Sequence, residues 1–245
     1  MLKRAVFVAA LAAFLSGQAN AGVWTQYGSE ASFVAALNAG SLKIEGFELF
    51  DNGDSNPPLS FLDPAALSPA AAATLIGSDS VKGSPVGGRH AVDGSKYFQG
   101  GAIPFEIKFA QAVKAFGFYG TDIGDFVGDS GCTNCVNPAA VLQVDFFTGD
   151  SVGPAAHTEL ISGSSADAST LFWGFADSTG ATYKTIKFTN LTLVVGANAV
   201  DGQGFDRLMI GDVEVTPPAN KVPEPFSLLL LGAGLFGLGI SRRTR

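Results

Sequence analysis

The chain has 245 residues, a formal net charge of −7 at pH 7 and a hydrophobic fraction of 47%. That acidic balance argues against nucleic acid or an anionic lipid surface as a partner held by simple charge attraction. With 2 cysteines and 2 histidines, zinc coordination lacks ligands close together in sequence.

The chain opens with Lys3 and Arg4, an apolar run from Ala5 to Leu15, and small residues ending in Ala19-Asn20-Ala21. A basic start, a short greasy run and an A-x-A site make residues 1–21 a secretory signal peptide, cut after Ala21. Residues 22–215 then supply one domain with a substantial core. Thr25 to Gly40 reads as a short helix: Ser29 or Ser32 can cap it, Phe33, Val34 and Leu37 share a face, and Gly40 stops it. Leu42, Ile44, Phe47 and Leu49 surround Glu45 and Glu48 in a strand-like run. Asp51 to Pro58 is a turn-rich loop. Ala65 to Ala73, with Pro64 and Pro69, is a helical turn or a loop, and Ser78 to Gly101 a long loop or weak strands.

Strand signals strengthen from Pro104. Phe105, Ile107 and Phe109 alternate with Glu106 and Lys108. Further strands are predicted near Val113 to Tyr119 and over Val141 to Phe147, Leu171 to Ala176, Tyr183 to Phe188, Leu191 to Val195 and Arg207 to Val215. No long amphipathic helix separates them, which argues against a parallel βαβ sheet. The expected fold is all-β and mainly antiparallel: a β-sandwich, jelly-roll-like, with one short helix near its start.

After a linker at residues 216–221, the tail 222–245 reads VPEPFSLLLLGAGLFGLGISRRTR. Its uncharged run from Phe226 to Ile240 would span about 23 Å as a helix, short of the roughly 30 Å of a bilayer core. Four glycines weaken it further. Arg242, Arg243 and Arg245 would stay on the cytoplasmic side. Pro223 and Pro225 break any helix upstream and leave an extended, cleavable segment at the membrane surface. Pro223-Glu224-Pro225, the short transmembrane run and the arginine cluster together resemble the PEP-CTERM sorting signal. The resemblance implies export by a Gram-negative bacterium that makes exopolysaccharide, transient anchoring in its inner membrane, and processing near Pro-Glu-Pro by an exosortase, a membrane-embedded transpeptidase. The segments IEGFE, AFGFYGTDIGD, LFWGFA and DGQGFDRLMIGDVEV are also similar to β-sandwich domains found ahead of such tails. Many related exported sandwiches are jelly rolls that bind glycans.

Calcium takes six to eight oxygen ligands from carboxylates and carbonyls, and carbohydrate-binding jelly rolls often hold one where first and last strands meet. The resemblance therefore implies a structural calcium site. Here that pairs Glu45 or Glu48 with Asp206, with Asp201 and Asp212 as further acids and Gly202 and Gly204 turning carbonyls inward. The alternative makes Asp201 and Asp206 turn residues and puts the glutamates on a solvated face. A second acidic loop, Asp122, Asp125 and Asp129, reads first as a polar loop. Cys132 and Cys135 are expected to form a disulfide closing a small loop outside the cytoplasm. Trp173 is either a core ring or an exposed platform for a sugar. No G-x-S-x-G or H-E-x-x-H occurs, and the pairs His90/Asp93 and His157/Glu159 read as loop residues, so no catalytic residue is expected.

The expectation is an exported, non-catalytic surface or matrix protein of structural or adhesive character. Its partners would be the export machinery, exosortase and exopolysaccharide. A carbohydrate-binding module is the alternative, and a polysaccharide hydrolase the third reading.

Overall fold

In the computed structural model, residues 22–63, 68–77, 80–101, 103–124, 141–163, 168–191 and 202–215 are described. The signal peptide, the sorting tail, Cys132, Cys135, Asp125, Asp129, Asp201 and the predicted strand beyond Leu191 lie outside them.

Among the described residues, thirteen strands and one helix follow in chain order. They are β1 (Trp24–Tyr27), α1 (Glu30–Ala36), β2 (Lys43–Glu45), β3 (Pro58–Asp63), β4 (Ser68–Ile76), β5 (Val81–Lys82), β6 (Tyr97–Gly100), β7 (Phe105–Val113), β8 (Ala115–Thr121), β9 (Leu142–Phe147), β10 (His157–Ile161), β11 (Thr170–Asp177), β12 (Tyr183–Asn190) and β13 (Gln203–Gly211). Every pairing between them is antiparallel. The ladder runs β1-β11-β8-β13-β2-β3-β4-β7-β12-β9-β10, with β6 beside the start of β13 and β5 beside β6.

This single ladder curls until its two halves face each other. Phe118 of β8 meets Phe188 of β12 at 5.4 Å between ring centres, Phe105 of β7 meets Phe205 of β13 at 4.9 Å, and Phe146 of β9 meets Phe175 of β11 at 4.6 Å. Edge-on aromatic contacts of this kind fill the space between two sheet faces with large, rigid side chains. The jelly-roll character lies in the crossovers. Ala115 pairs with Ala176 and Val113 with Tyr183, and the Asp177 amide donates to the Lys114 carbonyl, so the β7–β8 and β11–β12 connections cross between layers side by side.

The alternation read from Phe105 to Phe109 matches the burial of β7, in which Phe105, Ile107 and Phe109 face inward. Several local readings differ: the run from Leu42 to Leu49 is a strand only over Lys43–Glu45 and turns after it, and the last strand starts at Gln203 and ends at Gly211. Trp24 to Tyr27 is an edge strand on β11, and the helix begins only after Ser29, whose hydroxyl accepts from the Ser32 amide. The alanine-rich run is β4, because β3 and β7 offer ladders on both sides and outweigh its weak β-propensity. β10, absent from the predicted strands, pairs along β9.

Helix α1 covers the outer face of β8 and β11. Phe33, fully buried, sits over Gly117 and Gly174, which are cross-strand partners. A Cβ at Gly174 would lie 3.0 Å from the Phe33 ring, and one at Gly117 would lie 3.3 Å from it. Glycine is needed there because the helix seats a ring directly on the sheet backbone.

Candidate functional site: carboxylates that anchor the loops

Of the acids singled out as calcium ligands, Glu45, Glu48, Asp206 and Asp212 lie on or beside β2 and β13, which pair, Glu45 opposite Leu208. The oxygens of Glu45, Glu48 and Asp206 point to separate stretches of backbone. Glu45 is buried. Its Oε1 accepts from the Phe47 amide at 2.8 Å and its Oε2 from the Ser60 amide at 2.7 Å. β2 and β3 share only the pair Ile44–Leu62, so this carboxylate bridges the strands where ladder bonds run out. Burial pushes its pKa up, against the pull of those donors. Phe47, just beyond, takes a left-handed backbone (φ 62°) with its ring fully buried.

Glu48 is exposed, and its carboxylate accepts from the Ser95 and Lys96 amides and the Ser95 hydroxyl at 2.6–3.0 Å. Burial opposes its ionisation, but these donors prevail and hold the carboxyl below its ordinary range. Asp206 is fully buried. Its Oδ2 accepts from the Val92 and Asp93 amides at 2.7 and 2.8 Å, and its Oδ1 from the Arg207 amide at 2.6 Å. Burial, helped by the nearby charge of Asp93, raises its pKa to about 6 despite those bonds. Among the described residues no group of three or more His, Cys, Asp and Glu side chains is placed to hold a metal, and Asp201 lies outside them. The glycines proposed to turn carbonyls inward make room instead. A Cβ on Gly202 would fall inside the Arg89 guanidinium, and one on Gly204 would collide with the Thr121 hydroxyl.

Arg207 is the residue that the sequence reading missed. It sits in left-handed backbone (φ 47°) at a register shift in β13. Its guanidinium pairs with Glu30 at 2.9 Å and with Asp93. Glu30 also accepts from the Tyr119 hydroxyl at 3.0 Å. Burial disfavours the Glu30 carboxylate, but the Arg207 bond and charge outweigh it and hold the pKa down. The network ties α1, β8, β13 and the 92–96 loop together. Its signal in the sequence was an Asp-Arg pair inside the otherwise apolar FDRLMI.

Trp173 is a core residue, 2% exposed, packed against Phe118, Phe146 and Phe175. It offers no face to a sugar, because its place on β11 turns it into the sandwich. The half-buried tryptophan is Trp24. It stacks on Phe175 at 4.2 Å and against His157 at 3.8 Å, and its Nε1 donates to Glu159 at 3.0 Å. His157 Nε2 lies 2.6 Å from the same Glu159 oxygen. This contact joins β1 to β10, the two ends of the ladder, and so closes the sandwich. His157 and Glu159 lie on a strand and not in a loop. His90 and Asp93 do not meet: His90 Nδ1 contacts the Gly88 carbonyl, and Asp93 pairs with Arg207. The buried Asp122 carboxylate accepts from the Ala168 amide at 3.3 Å.

Taken together, these charged groups fix backbone. They tie the turn after β2 to β3 and the 92–96 loop to Glu48 and β13 through hydrogen bonds supplied by the chain itself.

The tail places the protein. Residues 221–243 match the PEP-CTERM protein-sorting motif. No curated protein matches the chain. Among solved structures, the K2 cleaved adhesin domain of Lys-gingipain (Kgp) is similar at 13% identity, covering 69% of this chain and 97% of its own, with a TM-score of 0.42. A Stig cyclase, Fisc, from Fischerella sp. TAU is similar at 15% identity, covering 71% of this chain and 100% of its own, with a TM-score of 0.36. Both likenesses are too remote to argue from. The chain carries the PEP-CTERM sorting signal and is an exosortase substrate, exported to the cell surface or beyond.

Proposed function

We propose that this exosortase substrate is a non-catalytic, structural or adhesive component of the extracellular polysaccharide matrix of a Gram-negative bacterium. The sorting motif at residues 221–243 carries the reading, since it commits the chain to export and processing at the membrane. The sandwich supports it. Its buried carboxylates Glu45 and Asp206 are spent on backbone amides, a use of charge that fixes shape. A carbohydrate-binding role within the same matrix is the second reading, favoured by the polar cleft described below.

The test is fractionation of cells carrying a chromosomal deletion of the gene, complemented by the full chain or by a chain truncated before Val222. The full chain is expected in the matrix fraction, restoring cohesion, and the truncated chain is expected to be lost from it. Unchanged matrix cohesion in the deletion strain would refute the structural role. Release of new reducing ends from exopolysaccharide by the purified surface form would replace it with a hydrolase.

A further inference from the structure

A cleft of about 330 Å³ opens between β2, β4, β7 and the end of β13. That is the lower end of the roughly 300–1,000 Å³ of small-molecule sites. Small residues make up much of its lining, among them Ala71, Ala112 and Gly211. Three polar side chains from separate strands line it: Lys43 of β2, Gln111 of β7 and Asp212 just after β13. The side chains of these three have no hydrogen-bond or ion-pair partner among the described residues, although the Asp212 backbone bonds to Asn38 and Ser41.

The β7 side of the cleft carries an irregularity. Lys108 pairs with Thr185 and Val113 with Tyr183, so β7 takes more residues than β12 across the same span. Ala110, Gln111 and Ala112 bulge outward and are exposed, and the Lys184 ammonium bonds to the Ala110 carbonyl. Bulges of this kind re-aim a side chain beside a site. Here the bulge carries Gln111, which lines the cleft together with Lys43 and Asp212. This use of polar groups differs from that around Asp206, where every oxygen has an internal donor.

We infer that this cleft is a subsite for one or two units of a neutral saccharide. The ammonium donates only, the carboxylate accepts only and the carboxamide does both, a set that matches neighbouring sugar hydroxyls, each of which donates and accepts. Lys43 and Asp212 offset each other in charge, so neither a phosphate nor a cation is favoured. The lining residues include no aromatic ring, so the site recognises hydroxyls and does not stack a base. This assignment rests on the matrix reading above and names the chemistry by which the protein would hold the matrix.

The test is backbone-amide NMR of the exported protein titrated with a neutral disaccharide, with glycine as a zwitterion and with a uronic acid as an anion. The neutral sugar is expected to move the amides of Gln111, Ala112, Gly211 and Asp212 at about millimolar concentration. Gln111→Ala, an exposed position that leaves the fold intact, should weaken the response about tenfold, the equivalent of one lost hydrogen bond. Shifts elsewhere, no shift with the sugar, or a response to glycine or uronic acid in its place would each overturn the assignment. Missing shifts with matrix retention intact would remove the cleft and leave the matrix role standing. Retention lost in the presence of normal shifts would do the reverse.

Discussion

Replacing Asp206 with asparagine isolates the energetics of the buried anchor. The carboxylate is fully buried and takes three backbone amides at 2.6–2.8 Å. A carboxamide of the same shape has one accepting oxygen, so whichever way it turns, at least one of those amides faces an NH2 group. An orphaned buried donor costs about 1–3 kcal/mol, but at pH 7 the neutral amide also escapes the burial cost that the carboxylate bears, so Asp206→Asn should lie close to the parent at pH 7 and fall below it by about 1–3 kcal/mol at pH 4. The pH dependence has a definite sign. Burial raises the Asp206 pKa from 3.8 to about 6, so between those values the folded protein holds a proton that the unfolded chain has released. The group therefore adds stability as pH falls from 7 towards 4 and loses it as pH rises through 6. The gap between the two values, at about 1.4 kcal/mol for each tenfold change in proton affinity, sets the gain at about 3 kcal/mol. Glu30 and Glu48, whose carboxyls are held low, act in the opposite sense as pH falls, but they are common to both chains and cancel in the difference. Urea unfolding of the two proteins at pH 7, 6, 5 and 4 should show the deficit of Asp206→Asn growing as pH falls. A deficit that shrinks over that range would mean that the amide bonds dominate burial, and the sign argued here would be wrong.

Three other outcomes follow from the same contacts. Gly174→Val places a branched side chain where only 3.0 Å separates a Cβ from the Phe33 ring; overpacking should cost about 1–3 kcal/mol, with Phe33→Ala restoring part of the loss, and an unchanged melting temperature would contradict the seating of α1. Glu48→Gln removes the charge that the Ser95 and Lys96 amides bind, so hydrogen exchange at those two amides should quicken while β7 stays protected; equal rates would show the loop held by other means. With Glu45 and Asp206 already engaged, millimolar calcium should leave the melting temperature where chelator leaves it, and a clear rise would show that these acids do reach an ion with Asp201.

The core strands were legible because large side chains alternate in them. Phe105, Ile107 and Phe109 with Glu106 and Lys108 between leave one arrangement in which the rings meet. β4 was not, since alanine has too little side chain to mark a face and its strand identity comes from β3 and β7. β10 reads His-Thr-Glu-Leu-Ile, with an inward side made partly of polar residues because it lines the seam at Trp24. The anchoring acids could be named from the sequence but not their partners: the amides of Val92 and Asp93 lie more than a hundred residues from Asp206, and an amide leaves no trace in composition. Trp173 read first as a core ring and second as an exposed platform, and the curl of the sheet places it between Phe118 and Phe146. The sorting motif was legible because its chemistry is local and its order is the signal, and residues 221–243 match it.

The claim that most depends on that tail is processing at the cell envelope. Intact-mass measurement of the protein recovered from the surface is predicted to show a chain that begins at Gly22 and lacks Arg242, Arg243 and Arg245. A surface form still ending in those arginines would contradict it.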